Sequence, residues 1–98
     1  LLRMVPRPRL RRKVRFNPDI TYFKPAGVPL KELEDITLLP EELEALRLKD
    51  HLQLDQNEAA EKMQVSQPTF HRILLEARKK VSHALIEGKA IRINSSIS

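Results

Sequence analysis

Apolar residues recur at helical spacing twice in the second half of the chain, and the polar residues around them are of the kinds that start and stop helices. After Ser66 they fall at Phe70, Ile73, Leu74, Ala77, Val81, Ala84 and Leu85, a stripe predicting one buried face that ends at Gly88, a C-terminal stop. Ser66 is an N-cap, and Pro68 falls in the first turn, where a missing N–H does no harm. Ahead of this stripe, Asp55 and Glu58 fit a capping box opening a shorter helix over about Gln56 to Met63. Gln64-Val65 is the turn between the two. Ala60 is small where two helices cross closely, Met63 and Val65 plug the angle, and Phe70 and Ile73 seat the second helix on the first. This spacing over about 55–87 predicts a helix-turn-helix. Its turn position is most often Gly, and Gln64 there costs roughly 1 kcal/mol.

The stretch PEELEALRLKD, about residues 40–50, predicts a support helix beneath this pair. Leu39, Leu43 and Leu46 line one face, Glu41, Glu42 and Glu44 complement the positive end of the dipole, and Arg47 and Lys49 the negative end. The acidic pairs Glu41-Glu42 and Glu34-Asp35 read as helix-end electrostatics and a solvated face. Pro29 opens a short helical stretch with Leu30, Leu33 and Ile36 inward. Val14-Arg15-Phe16 and Ala90–Ile93 alternate in polarity, so each reads as a short strand, and the two could pair with each other or across a dimer. Between them Tyr22 and Phe23 precede a turn at Pro25-Ala26-Gly27 and are expected to anchor a loop on the core or to stack on bases. The expected fold is mainly α: a small domain of three to four helices over 14–98, a basic extended N-terminal arm over 1–13, and at most a minor two-stranded β ribbon.

Charge sharpens this picture. The net charge of +5 is unevenly placed: residues 1–16 hold seven bases and no acid, residues 17–65 five bases against eleven acids, and residues 66–98 six bases against two acids. Positive charge therefore gathers in the arm and in the segment of the second helix, which suggests a polyanionic partner. Pro6-Arg7-Pro8-Arg9 cannot form helix, and arginines on an extended arm suit phosphates or a narrow minor groove. The second helix presents Pro68, Arg72, Glu76 and Lys79 to solvent, flanked by Gln67, Thr69, His71 and Leu75. The candidate DNA contacts are thus Ser66, Gln67, Pro68, Thr69, His71, Arg72 and Lys79 on the helix, with Arg7, Arg9, Arg11, Arg12 and Lys13 on the arm.

Other chemistries find little support. There are no cysteines, hence no disulfide or thiolate-bound metal, and a reducing cytoplasm is expected. The three histidines lie 20 and 12 residues apart, not at a ligand spacing, and two glycines make no phosphate-cradling loop. No enzyme activity, cofactor or metal is expected, and no apolar run approaches the ~20 residues of a membrane span. Leu75 and Ile86, apolar on the polar side of the long helix, together with Ile91 and Ile93, are candidate contacts of a homodimer.

The helix pair with its PEELEALRLKD helix resembles region four of sigma factors and related transcription regulators. More closely, RPRLRRKVRFNPDITYFKPAGVPLKELE, LEALRLKD, EAAEKMQVSQPTFHRILLEARKKV and ALIEGKAIRI are similar to the family called domain of unknown function 134, over roughly residues 6–93. That resemblance implies small DNA-binding proteins with a transcription-regulator-like fold. The expected function is sequence-specific binding of double-stranded DNA. Docking on transcription machinery, or RNA binding through the arm, are the alternatives.

Overall fold

The computed structural model describes residues 12–94. Two short strands come first, β1 (Tyr22–Phe23) and β2 (Asp35–Leu38), with a single 3-10 turn at Leu30–Glu32 between them. Three helices follow: α1 (Pro40–Ala45), α2 (Gln56–Met63) and α3 (Gln67–Glu87); β3 (Ala90–Ile93) closes the described chain. The fold is mainly α with a minor β component, as the residue pattern predicts.

The long helix organises the packing. The N-terminal half of α3 sends Phe70, Ile73 and Leu74 into a core shared with Ala59, Ala60 and Met63 of α2 and with Ala45 and Leu48. Its next turns rest on the sheet, where Ala77 meets Leu38 and Ile93, with Val81 and Ile91 packed alongside. One helix thereby joins two small cores, each too small to be stable alone.

The sheet differs from the expected ribbon. It has three strands in the order β1-β3-β2, with β3 antiparallel to β1 and parallel to β2. A parallel partner must lie across a long crossover, here all three helices, so local pattern could not reveal it. Residues 14–16 are not a strand: the Arg15 N–H donates to the Glu44 carboxylate at 3.2 Å and so is unavailable to a β ladder. Nor is there a helix running to Ile36. One 3-10 turn forms, Leu30 stays exposed, and Ile36 pairs with Ile91 in the ladder.

Two further corrections concern α1 and α3. Beyond Ala45 the support helix widens into a π-helical turn, Leu46–His51, marked by the Leu52 N–H donating to the Arg47 carbonyl at 2.8 Å. Glu42 is the first-turn acid that the pattern predicts, but it and Glu44 are also buried, at 4% and 1% exposed, which the pattern does not show. Glu42 accepts from the Leu39 N–H at 2.9 Å and from Lys80 Nζ at 2.8 Å, while Glu44 takes both arms of the Arg47 guanidinium at 2.9 and 2.8 Å. On α3, Leu85 lies outside the buried stripe at 74% exposed. Ile93 is buried and Ile91 half-buried in the sheet.

Candidate nucleic-acid interface

The site begins with how α2 ends and α3 starts. Asp55 caps α2, its carboxylate accepting from the Glu58 N–H at 2.8 Å. At the far end Gln64 takes the left-handed conformation, φ 59°. Its N–H donates to Glu61 O at 3.0 Å and the Val65 N–H to Ala60 O at 3.1 Å, the pair of bonds that turns a chain sharply out of a helix. Ser66 then caps α3: its Oγ accepts from the Thr69 N–H at 3.3 Å and donates to Thr69 Oγ1 at 3.0 Å. Gln67 Nε2 donates to Asn57 Oδ1 at 3.1 Å and ties the first turn of α3 to the first turn of α2. Asn57 escaped the sequence reading, since nothing local marks a partner ten residues away.

The first turns of α3 bury Phe70 and Ile73 on one side and leave the other open to solvent. Ser66, Gln67, Pro68, His71 and Arg72 are exposed, as is Lys79 two turns on, whereas Thr69 is half-buried against its cap. Gln67 to Leu75 contain no acid. Other bases of the C-terminal segment are tied internally: Arg78 to Asp50 at 2.6 Å, Lys80 to Glu42 at 2.8 Å, Lys89 to Glu34 and Arg92 to Asp35 at 3.0 Å. Hydrogen bonding to Arg78 holds the Asp50 carboxyl below its ordinary value and raises the guanidinium. The same relation holds between Glu34 and Lys89. Arg72 and Lys79 make no ion pair among the described residues. They sit seven positions apart, hence on one helix face.

The arm enters at this same end. The Lys13 N–H donates to the Met63 carbonyl at 3.0 Å, fastening the chain beside the turn between α2 and α3. Lys13 is exposed, and Arg12 is half-buried with its Nε unpaired among the described residues. Arg7, Arg9 and Arg11 lie outside the described residues. Along α1 and the π-helical turn, Phe16, Leu43, Leu46, Asp50, His51 and Leu52 border an open groove of about 610 Å³, with Arg47 stacked over the Phe16 ring at 5.6 Å. Among the described residues no group of three His, Asp or Glu side chains is placed to hold a metal, and no helix is long and apolar enough to cross a membrane.

Comparison with known proteins places the whole sequence. The family described as "Protein of unknown function DUF134" matches residues 2–96. A UPF0251 protein of Moorella thermoacetica is 58% identical over 89 residues, which are 91% of this chain and 60% of that protein. A UPF0251 protein of Syntrophomonas wolfei is 56% identical over 92% of this chain and 68% of its own length. One from Caldanaerobacter subterraneus is 55% identical, over 91% and 75% respectively. The chain thus spans 60 to 75% of the length of these relatives. No solved structure matches it. With a family match running across nearly all of its length, the chain belongs to the DUF134 family.

Proposed function

We propose that this chain binds double-stranded DNA sequence-specifically as a transcriptional regulator, with α2 and α3 acting as a helix-turn-helix and the first turns of α3 in the major groove. One observation carries the reading. Most bases of the C-terminal segment are neutralised by carboxylates of the body, but Arg72, within the acid-free first turns of α3, and Lys79, two turns further on, are left exposed and unpaired among the described residues. A helix end of that kind suits a groove edged with phosphates. The capping bonds of Ser66 and the Gln67–Asn57 bond fix its direction, so its side chains meet base edges in one register. Lys13 is fastened beside the same turn, and the basic arm that precedes it is assigned to the phosphates or the minor groove beside that site.

Within this reading the roles divide by chemistry. Arg72 reads guanine through two parallel hydrogen bonds, and Gln67 or His71 meets an adjacent base. Pro68 offers apolar contact to a thymine methyl, while Ser66 and Thr69 hold the helix end in place. The test is a binding series at fixed salt against duplex DNA, single strands and RNA, followed by a panel of single-base variants of the preferred duplex. Arg72→Ala should flatten the preference at one base pair, by about 1–3 kcal/mol of lost discrimination. Equal weakening on every sequence would instead make Arg72 a phosphate contact.

A second reading, docking on a protein of the transcription machinery, is favoured by the apolar groove beside the π-helical turn, because such turns recur at functional sites. Failure to prefer duplex DNA over the other nucleic acids in the same series would favour it.

A further inference from the structure

The C-terminal end of α3 carries an apolar surface that DNA reading does not use. Ile86 is 85% exposed and Leu85 74%, on the last turn of the helix. Beside them lies a shallow groove of about 280 Å³ between the end of α3 and β1, with Phe23, Lys24 and Pro25 on one side, Leu85 on the other and Ile91 beneath. Phe23 is itself 53% exposed. Gly88 borders the groove with open space where a Cβ would stand. Large apolar residues exposed together, unlike ones scattered singly, mark interaction sites.

The charges at this spot are complementary to each other. Lys24 lies on the groove wall, and its ammonium meets only the Pro25 carbonyl, at 3.2 Å, among the described residues. Glu87 follows Ile86 on the protruding turn and is half exposed; it makes only long contacts, 3.5 Å to His83 and 4.0 Å to Lys89. One patch therefore presents an apolar knob followed by an acid, and an apolar groove edged by a base. A surface that holds both halves of a match is what a two-fold interface requires, since residue i then meets residue j and j meets i.

We propose that this patch is a homodimer interface, in which Ile86 of each copy enters the Phe23–Pro25 groove of the other and Glu87 pairs with the partner copy's Lys24. The contact is made twice by symmetry. It sits at the opposite end of α3 from Gln67–Arg72, about 25 Å along a helix rising 1.5 Å per residue, and so leaves the reading face open. The proposal does not depend on DNA binding, and it is tested without DNA.

Sedimentation of the full chain at micromolar concentration should show a dimer, and Ile86→Glu should leave a monomer with an unchanged circular dichroism spectrum. Lys24→Glu and Glu87→Lys should each weaken association, roughly fivefold to tenfold, because two exposed pairs are lost at once. Combining the two restores opposite charges across the interface, so the double variant should recover most of the loss. Leu75→Glu, in the middle of the outward face of α3, should leave the dimer intact. A monomeric parent chain, a dimer indifferent to Ile86→Glu, or no recovery in the double variant would each overturn the proposal. So would dissociation by Leu75→Glu instead, which would move the interface to the centre of the helix.

Discussion

Gln64 occupies a backbone conformation that glycine adopts freely and glutamine does not, φ 59°, and the angle between α2 and α3 depends on it. The sequence identifies this position because the residues around it are local signals: Met63 and Val65 bracket a turn, and Ser66 opens a helix. Caps speak through hydrogen bonds three or four residues long, so Asp55, Ser66 and Gly88 were all legible as helix ends. Burial of single charged residues was not. Glu42 and Glu44 read as first-turn acids suited to the dipole. Their actual partners include Lys80, 38 positions away, and the Arg15 N–H, 29 positions away. The residue-scale prediction follows from the strain at Gln64. Gln64→Gly removes a Cβ clash of about 1–2 kcal/mol and gives back roughly 0.5–1 kcal/mol in unfolded-chain entropy. The variant should be more stable by up to about 1.5 kcal/mol, seen as a higher urea midpoint with an unchanged slope. A lower midpoint would mean that the Gln64 side chain does something the backbone argument omits.

Among the elements, the helices follow from periodicity and the sheet does not. α2 and α3 emerge from their apolar stripes to within a residue at each end. β3 is visible as alternation, but its neighbours β1 and β2 lie across long loops or the whole helical layer. The widening of the support helix into a π-helical turn also left no sequence signature; it accompanies the clamp that Glu44 makes on the preceding segment. Glu44 holds the Arg15 N–H and the Arg47 guanidinium together, and Arg47 lies over Phe16, so one carboxylate fastens residues 15–16 to α1. Burial pushes the Glu44 carboxyl up, but hydrogen bonds from Arg47, Arg15 and Phe16 and the Arg47 charge outweigh it and leave the carboxyl below its ordinary value. A carboxyl lowered in the folded state stabilises above its unfolded value, about 4.3, and that contribution is lost as pH falls through the folded value. Glu44→Gln should therefore cost about 1–2 kcal/mol near pH 7, with the gap to the parent chain narrowing as the pH is taken toward 3. Urea midpoints of both chains across that range are the measurement. A gap that stayed constant would assign the cost to packing and not to charge.

At the scale of the whole molecule, formal charge and available charge differ. The segment 66–98 carries six bases, which by count alone promises a strongly attractive surface. Folding places Arg78, Lys80, Lys89 and Arg92 against Asp50, Glu42, Glu34 and Asp35, so most of that charge joins the N-terminal half of the domain to the C-terminal half. What remains for a polyanion on α3 is Arg72 and Lys79, together with the basic arm that starts beside the same turn. Salt dependence separates the two kinds of base, because each phosphate contact contributes about −0.9 to the slope of log affinity against log salt. Lys79→Ala should flatten that slope by about one unit, weakening all duplexes alike, with folding stability nearly unchanged. Lys80→Met should do the reverse: it leaves the slope alone but lowers the urea midpoint, since the buried Glu42 loses the ammonium that pairs with it. Removing residues 1–11, which carry Arg3, Arg7, Arg9 and Arg11 and leave the Lys13–Met63 bond in place, should flatten the slope by about two to four units. If the truncated and full chains shared one slope, the arm would serve solubility only. If Lys80→Met flattened the slope as much as Lys79→Ala, the internal pairing of charge would not decide which bases meet a polyanion, and the face proposed for binding on α3 would have to be redrawn.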